Sequence, residues 1–176
     1  MAKSPKRKEY LKDYKQGEDG KYTYGGKTYK FQGTEQERLK AYRNLILLAV
    51  LVLVSVAVSG LNDAPCAIKS YTVIVPFIGE VCALFALCWN LSKLLMEGRE
   101  IRGYIFEIAN NRIPPAALIL MAFAGLGILT AALYLAFHGF EGQITKSILH
   151  LAMKACNALL AFCFKKYYNT LQWTVI

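Results

Sequence analysis

The sequence predicts an all-α membrane protein: a four-transmembrane-helix bundle carrying a short N-terminal β-hairpin on its cytoplasmic side. Three observations predict it. The 176 residues combine 55% apolar content and a mean hydropathy of +0.30 with a formal net charge of +9. Charge and hydrophobicity are separated, since twelve of the 21 Lys and Arg residues precede residue 44 and the apolar residues mostly follow it. The apolar part divides into four runs long enough to cross a bilayer.

Residues 1–19 are Lys-rich and polar, which reads as a flexible basic tail. Interspersed Glu9, Asp13, Glu18 and Asp19 weaken it as a lipid-binding or nucleic-acid-binding arm. Residues 20–33 read as a hairpin. Gly25-Gly26 can supply a type I′ turn, with Tyr22 opposite Tyr29 and Thr23 opposite Thr28. A lone hairpin is marginal in water, so its aromatic face needs cover, most simply from the protein's own cytoplasmic elements.

Thr34 and Glu37 make a capping-box pattern that starts a helix running into the first span, about 44–61. The run Leu45–Val58 is rich in β-branched residues. In lipid, the need to satisfy every backbone group within the segment makes it helical. The second span is about 71–95, with Pro76 and Gly79 as candidate kink points. The third is about 115–137, with Pro114-Pro115 at its start. The fourth, about 144–164, carries Lys146, His150, Lys154 and Asn157. Between the second and third spans, Ile101, Tyr104, Ile105 and Ile108 fall on one helical face. That spacing predicts a surface helix over about 99–110.

Basic residues fix the orientation. Lys30, Arg38, Lys40, Arg43, Lys93, Arg99, Arg102, Arg112, Lys165 and Lys166 fall on one side, and Lys69 and Lys146 on the other. The positive-inside rule puts the larger group, and hence both termini, in the cytoplasm of a multi-pass plasma-membrane protein. The two halves also look alike. Ala83-Leu-Phe-Ala-Leu-Cys-Trp89 matches Ala158-Leu-Leu-Ala-Phe-Cys-Phe164 at an offset of about 75, which predicts two tandem helical hairpins. The competing explanation is chance likeness between apolar helices drawn from a small alphabet.

One constellation stands out. By a rise of about 1.5 Å per residue, Glu80 and Lys154 both lie roughly 14–15 Å into their spans. That is near the midplane of a hydrocarbon core about 30 Å thick. An unpaired charge there costs at least about 2.5–3.5 kcal/mol, so the two are expected to pair inside the bundle. His150, one turn from Lys154, joins them in a candidate intramembrane polar cluster. The cluster reads first as a structural clasp and second as part of an ion or proton path. The clasp is preferred because the cytoplasmic half of the spans has no matching charges. Small residues at Ser55-xxx-Ser59 and Gly127-xxx-Ala131 allow close helix packing within a bundle or between copies.

Chemistry-bearing motifs are missing. The five cysteines are odd in number with no CxxC pair, and the two histidines are badly spaced for a metal. No P-loop, dinucleotide fingerprint, GxSxG or HExxH occurs. The expectation is a non-enzyme with no catalytic residues, metal, small-molecule cofactor or nucleic-acid partner. Its partners are the lipid bilayer and a protein, or a second copy of itself, in the membrane. Its expected role is an accessory or scaffold subunit. The alternative is a small ion, proton or solute transporter or channel subunit using Glu80 and Lys154.

The segments Gly20-Lys-Tyr-Thr-Tyr, Tyr29-Lys-Phe, Gly33-Thr34-Glu35 and the Val-Pro-Phe around Pro76 resemble a loose group of uncharacterised small four-helix membrane proteins of Gram-positive bacteria. That resemblance implies a bacterial plasma membrane and brings no activity or substrate with it. Four short spans with one membrane glutamate are also similar to the small multidrug transporters. That family, however, carries its glutamate in the first span, whereas Glu80 is in the second.

Overall fold

The computed structural model describes residues 14–16 and 22–176. Strands β1 (Tyr14–Gln16), β2 (Tyr22–Tyr24) and β3 (Thr28–Phe31) lead into helix α1 (Glu35–Leu61). A short turn of helix, α2 (Pro65–Ile68), precedes α3 (Tyr71–Met96). Strand β4 (Glu100–Arg102), the long α4 (Gly103–His138), α5 (Ile144–Thr170) and β5 (Trp173–Val175) complete the chain. The helices α1, α3, α4 and α5 are each long and apolar enough to cross a membrane, and they mark a membrane protein.

The bundle has two ends. At the loop end, α1 turns through α2 into α3, and α4 turns into α5. At the sheet end lie all the strands among the described residues. Around the bundle, α3 packs on α4, α4 on α5 and α5 on α1, while α1 and α3 touch only slightly. The two consecutive helical hairpins are therefore packed unlike each other. The loose α1–α3 seam leaves an apolar groove of about 140 Å³ between Ile46, Ala49, Val50 and Leu53 on one side and Cys88, Leu91 and Leu95 on the other.

The capping box forms as its spacing predicts. Glu37 N donates to Thr34 Oγ1 at 3.3 Å, and Thr34 N donates to Glu37 Oε2 at 2.8 Å. The expected hairpin does not form. Strand β2 pairs with β1, with Tyr14 opposite Tyr24, and β3 lies between β4 and β5 in a separate three-stranded antiparallel sheet. Positive φ among the described glycines falls at Gly33, Gly139 and Gly142 rather than at Gly25-Gly26, so the backbone there lacks the primed turn. The expected tail over 1–19 lies outside the described residues except at 14–16, which are strand.

The aromatic residues of β3 find their cover within the chain. Tyr29 stacks on Phe106 at 4.1 Å, and Trp173 meets both Phe31 and Phe106 edge-on or tilted at about 5.5 Å. Three distant segments are thereby tied together. Tyr29 opposes Ile101 on one side and Val175 on the other.

No separate surface helix occupies 99–110. Residues 100–102 are strand, with Ile101 buried, and α4 begins at Gly103 and runs unbroken through Pro114-Pro115. The prolines remove the donors that would reach the carbonyls of Asn110 and Asn111. Both asparagines are exposed, so those carbonyls can be satisfied from outside and the helix is not forced to begin at the prolines. At 36 residues, α4 is about 54 Å long and projects well beyond a hydrocarbon core of about 30 Å.

Candidate intramembrane polar site

The bundle is inside-out by the standards of a soluble protein. Phe85, Leu126, Leu129, Leu133, Leu159 and Phe162 are exposed, while Glu80 and Lys154 are fully buried. Helical spacing explains this. On α5, Ser147, His150, Lys154 and Asn157 recur at three- and four-residue intervals and share the buried face. On α3, Val73, Pro76, Glu80, Ala83, Leu84 and Leu87 do the same, so Glu80 is carried inward by an otherwise apolar stripe.

Lys154 Nζ donates to Glu80 Oε1 at 2.6 Å, and Asn157 Nδ2 donates to Glu80 Oε2 at 2.9 Å. Both carboxylate oxygens thus have a donor, as a buried charge requires. The ammonium also lies 4.8 Å from the Phe77 ring centroid, where the negative face of the ring stabilises it. Gly127 on α4 makes room for the pair. A Cβ there would sit 3.3 Å from Glu80 Oε1 and 3.5 Å from the Lys154 methylenes. A little further along, Gly79 lies against the Phe123 ring, which a Cβ would meet at 2.6 Å. Close approach of α3 and α4 therefore depends on small residues.

His150 does not join the pair directly. Its Nδ1 lies 3.3 Å from the Ser59 carbonyl oxygen and 3.4 Å from Ser59 Oγ, which ties α5 to α1. One turn along, Ser55 Oγ donates to the Met153 carbonyl at 3.0 Å. The structure thus brings Glu80 and Lys154 together and places His150 on a neighbouring interhelical contact. It adds Asn157, Phe77, Gly127, Ser55 and Ser59 to the site. Asn157 was detectable, since it lies three residues from Lys154 and must share its face. Phe77 carried no sequence signal beyond lying one turn before Glu80.

Four buried polar atoms on α5 have no partner among the described residues: Ser147 Oγ, His150 Nε2, Asn157 Oδ1 and, nearer the sheet end, Tyr168 OH. A buried polar atom left unpaired costs about 1–3 kcal/mol. Two apolar clusters flank the site. Towards the sheet end lie Val52, Val56, Ala83, Leu84, Leu120 and Ala161. Towards the loop end lie Ala64, Cys66, Val73, Ala131 and Leu135.

The loop end is closed by exposed contacts. Lys69 pairs with Glu141, which also accepts from Tyr134 OH at 3.0 Å. The neighbouring Lys69 ammonium and the Tyr134 hydroxyl hold the Glu141 carboxyl below the ordinary value near 4.5. Asn62 Nδ2 donates to the Lys146 carbonyl at 2.7 Å. Among the described residues, no group of three or more His, Cys, Asp or Glu side chains is placed to hold a metal ion. No protein-family model, curated protein or solved structure matches this chain.

Proposed function

We propose that this protein is a non-catalytic accessory or scaffold subunit of a plasma-membrane complex, with both termini in the cytoplasm. The observation that carries this reading is the closed coordination of Glu80. Lys154 and Asn157 each donate to one of its oxygens and Gly127 packs against it, so the carboxylate is charge-paired and enclosed between helices. A pair of this kind fixes which helix faces meet, because a mismatched arrangement would leave a charge alone in hydrocarbon. The excess of basic residues around the sheet end supports a cytoplasmic location for it. A partner would meet the platform formed there by the two sheets and the projecting start of α4. The likeness between Ala83–Trp89 and Ala158–Phe164 supports a tandem origin for the two hairpins.

The test uses Glu80→Gln, Lys154→Met and their combination. The clasp predicts that each single change lowers thermal stability in detergent and that the double variant recovers most of the loss. A transporter or channel subunit would instead lose proton or ion flux in reconstituted vesicles even in variants that remain folded. Equal stability of all three with the wild type, together with flux lost in each, would replace the scaffold reading by the transport reading.

A further inference from the structure

The polar face of α5 extends past the groups the clasp uses. Ser147, His150, Lys154 and Asn157 are each at most 2% exposed. The chemistry of their neighbours sets which atoms remain open. Asn157 must turn its NH₂ towards the Glu80 carboxylate, because the reverse orientation would set oxygen against oxygen, so its Oδ1 faces away. His150 Nδ1 lies against a backbone carbonyl, which can only accept. In the neutral ring Nδ1 is therefore the donor, and Nε2 keeps a bare lone pair. Opposite on α1, Ser55 and Ser59 already have partners at Met153 and His150.

A lone pair at Nε2, a carbonyl at Asn157 and a two-way hydroxyl at Ser147 form a set that one kind of small molecule satisfies. An apolar ligand would leave all three unpaired. An anion would meet the lone pairs of His150 and Asn157, and a cation would meet the Lys154 ammonium on the same face. Water donates to the first two and can donate to or accept from the third, and buried waters commonly make about three hydrogen bonds. We infer that Ser147, His150 and Asn157 hold internal water molecules at two levels beside the Glu80–Lys154 pair, one towards the loop end and one flanking Asn157. Between Asn157 and the Tyr168 hydroxyl the buried face of α5 is apolar, formed by Ala161 and Phe164, both fully buried and set among apolar clusters. This inference stands whether the pair is a clasp or part of a path.

The experiment uses full-length protein labelled with ¹⁵N-histidine in lipid bilayers and studied by solid-state NMR. Only His138 and His150 contribute, and a His138→Gln sample assigns them. Expected is an unprotonated nitrogen at His150 Nε2 that gains magnetisation from water nearly as fast as the exposed His138. Ser147→Ala should slow that transfer severalfold with thermal stability nearly unchanged. The inference is overturned if His150 polarises no faster than the lipid-facing backbone of α4, or if Ser147→Ala leaves its transfer unaltered.

Discussion

The two halves of the bundle are held by different means. Towards the loop end, the helices meet through groups buried inside the bundle: Glu80 with Lys154 and Asn157, His150 with Ser59, and Ser55 with the Met153 backbone. Towards the sheet end the core is mainly apolar, with Leu45, Leu87, Leu94, Ile113, Ala117 and Phe164 fully buried or nearly so. There the specific connections lie at the periphery. Asn44 Nδ2 donates to Tyr167 OH at 3.0 Å, Arg38 Nη1 donates to the Gly98 carbonyl at 2.9 Å, and Arg102 grips the Glu97 carboxylate with two nitrogens. The difference follows from the solvent. Lipid tails are as apolar as leucine, so burying leucine between helices gains packing but little transfer free energy. Within hydrocarbon, the choice of partner faces has to come from polar contacts and close fit. Beyond it, strands and ion pairs can do the same work.

The largest expected effect tests that contrast directly. Lys154→Ala leaves Glu80 buried without its countercharge and should cost about 3–5 kcal/mol. Phe164→Ala in the sheet half should cost less than the roughly 3–5 kcal/mol usual for soluble cores, because only packing is lost. Steric-trapping or denaturant measurements in bicelles on both variants check the order. A larger loss at Phe164 would break the comparison.

Ser59→Ala sharpens it on a smaller scale. The variant removes one of two contacts to His150 Nδ1 and leaves the carbonyl in place. Interhelical hydrogen bonds in membranes average about 0.6 kcal/mol, and the same measurement should return a value of that order or less. A loss several times larger would make His150, rather than Lys154, the centre of the loop half.

The smallest effect belongs to the exposed loop-end contacts. The Glu141 carboxyl is held below its ordinary value, so whatever stability it adds is fully present above about pH 4.5 and is lost as the pH falls through its lower folded value. Lying at the solvent-accessible surface of the loops, the contact is screened and contributes little. Melting curves of wild type and Glu141→Gln should therefore nearly coincide at neutral pH and converge completely in acid. A wide gap at neutral pH would mean that the loops, and not the buried pair, hold this half together.

Much of this was legible in the sequence, and the reasons differ by region. The spans follow from apolar length. The proximity of Glu80 and Lys154 follows from depth alone, since two opposite charges at one level of a bilayer have little choice but to meet. Strands β2 and β3 were legible as extended segments, but their partners were not, and β1 and β4 fell in segments read as tail and surface helix. Gly25-Gly26 is local information about a turn, whereas β3 takes its neighbours from residues 100–102 and 173–175, more than 65 positions away in the chain. Likewise the 3.6-residue spacing of Ile101, Tyr104 and Ile105 was real, but its first member was taken up by a strand and the rest by the start of α4. Periodicity records which side chains point together; it carries no account of where an element begins. His150 was assigned to the pair by helical spacing, although Ser59 on another helix claims its ring nitrogen.

The placement of β5 has a consequence for biosynthesis. Its residues follow all four membrane helices in the chain, yet they complete the ladder beside β3, which is made before the first of them. A ribosome can deliver every span to the bilayer and still leave that ladder one strand short. The platform at this end can therefore close only after the fourth helix is inserted, which makes it a late checkpoint on a correctly threaded chain.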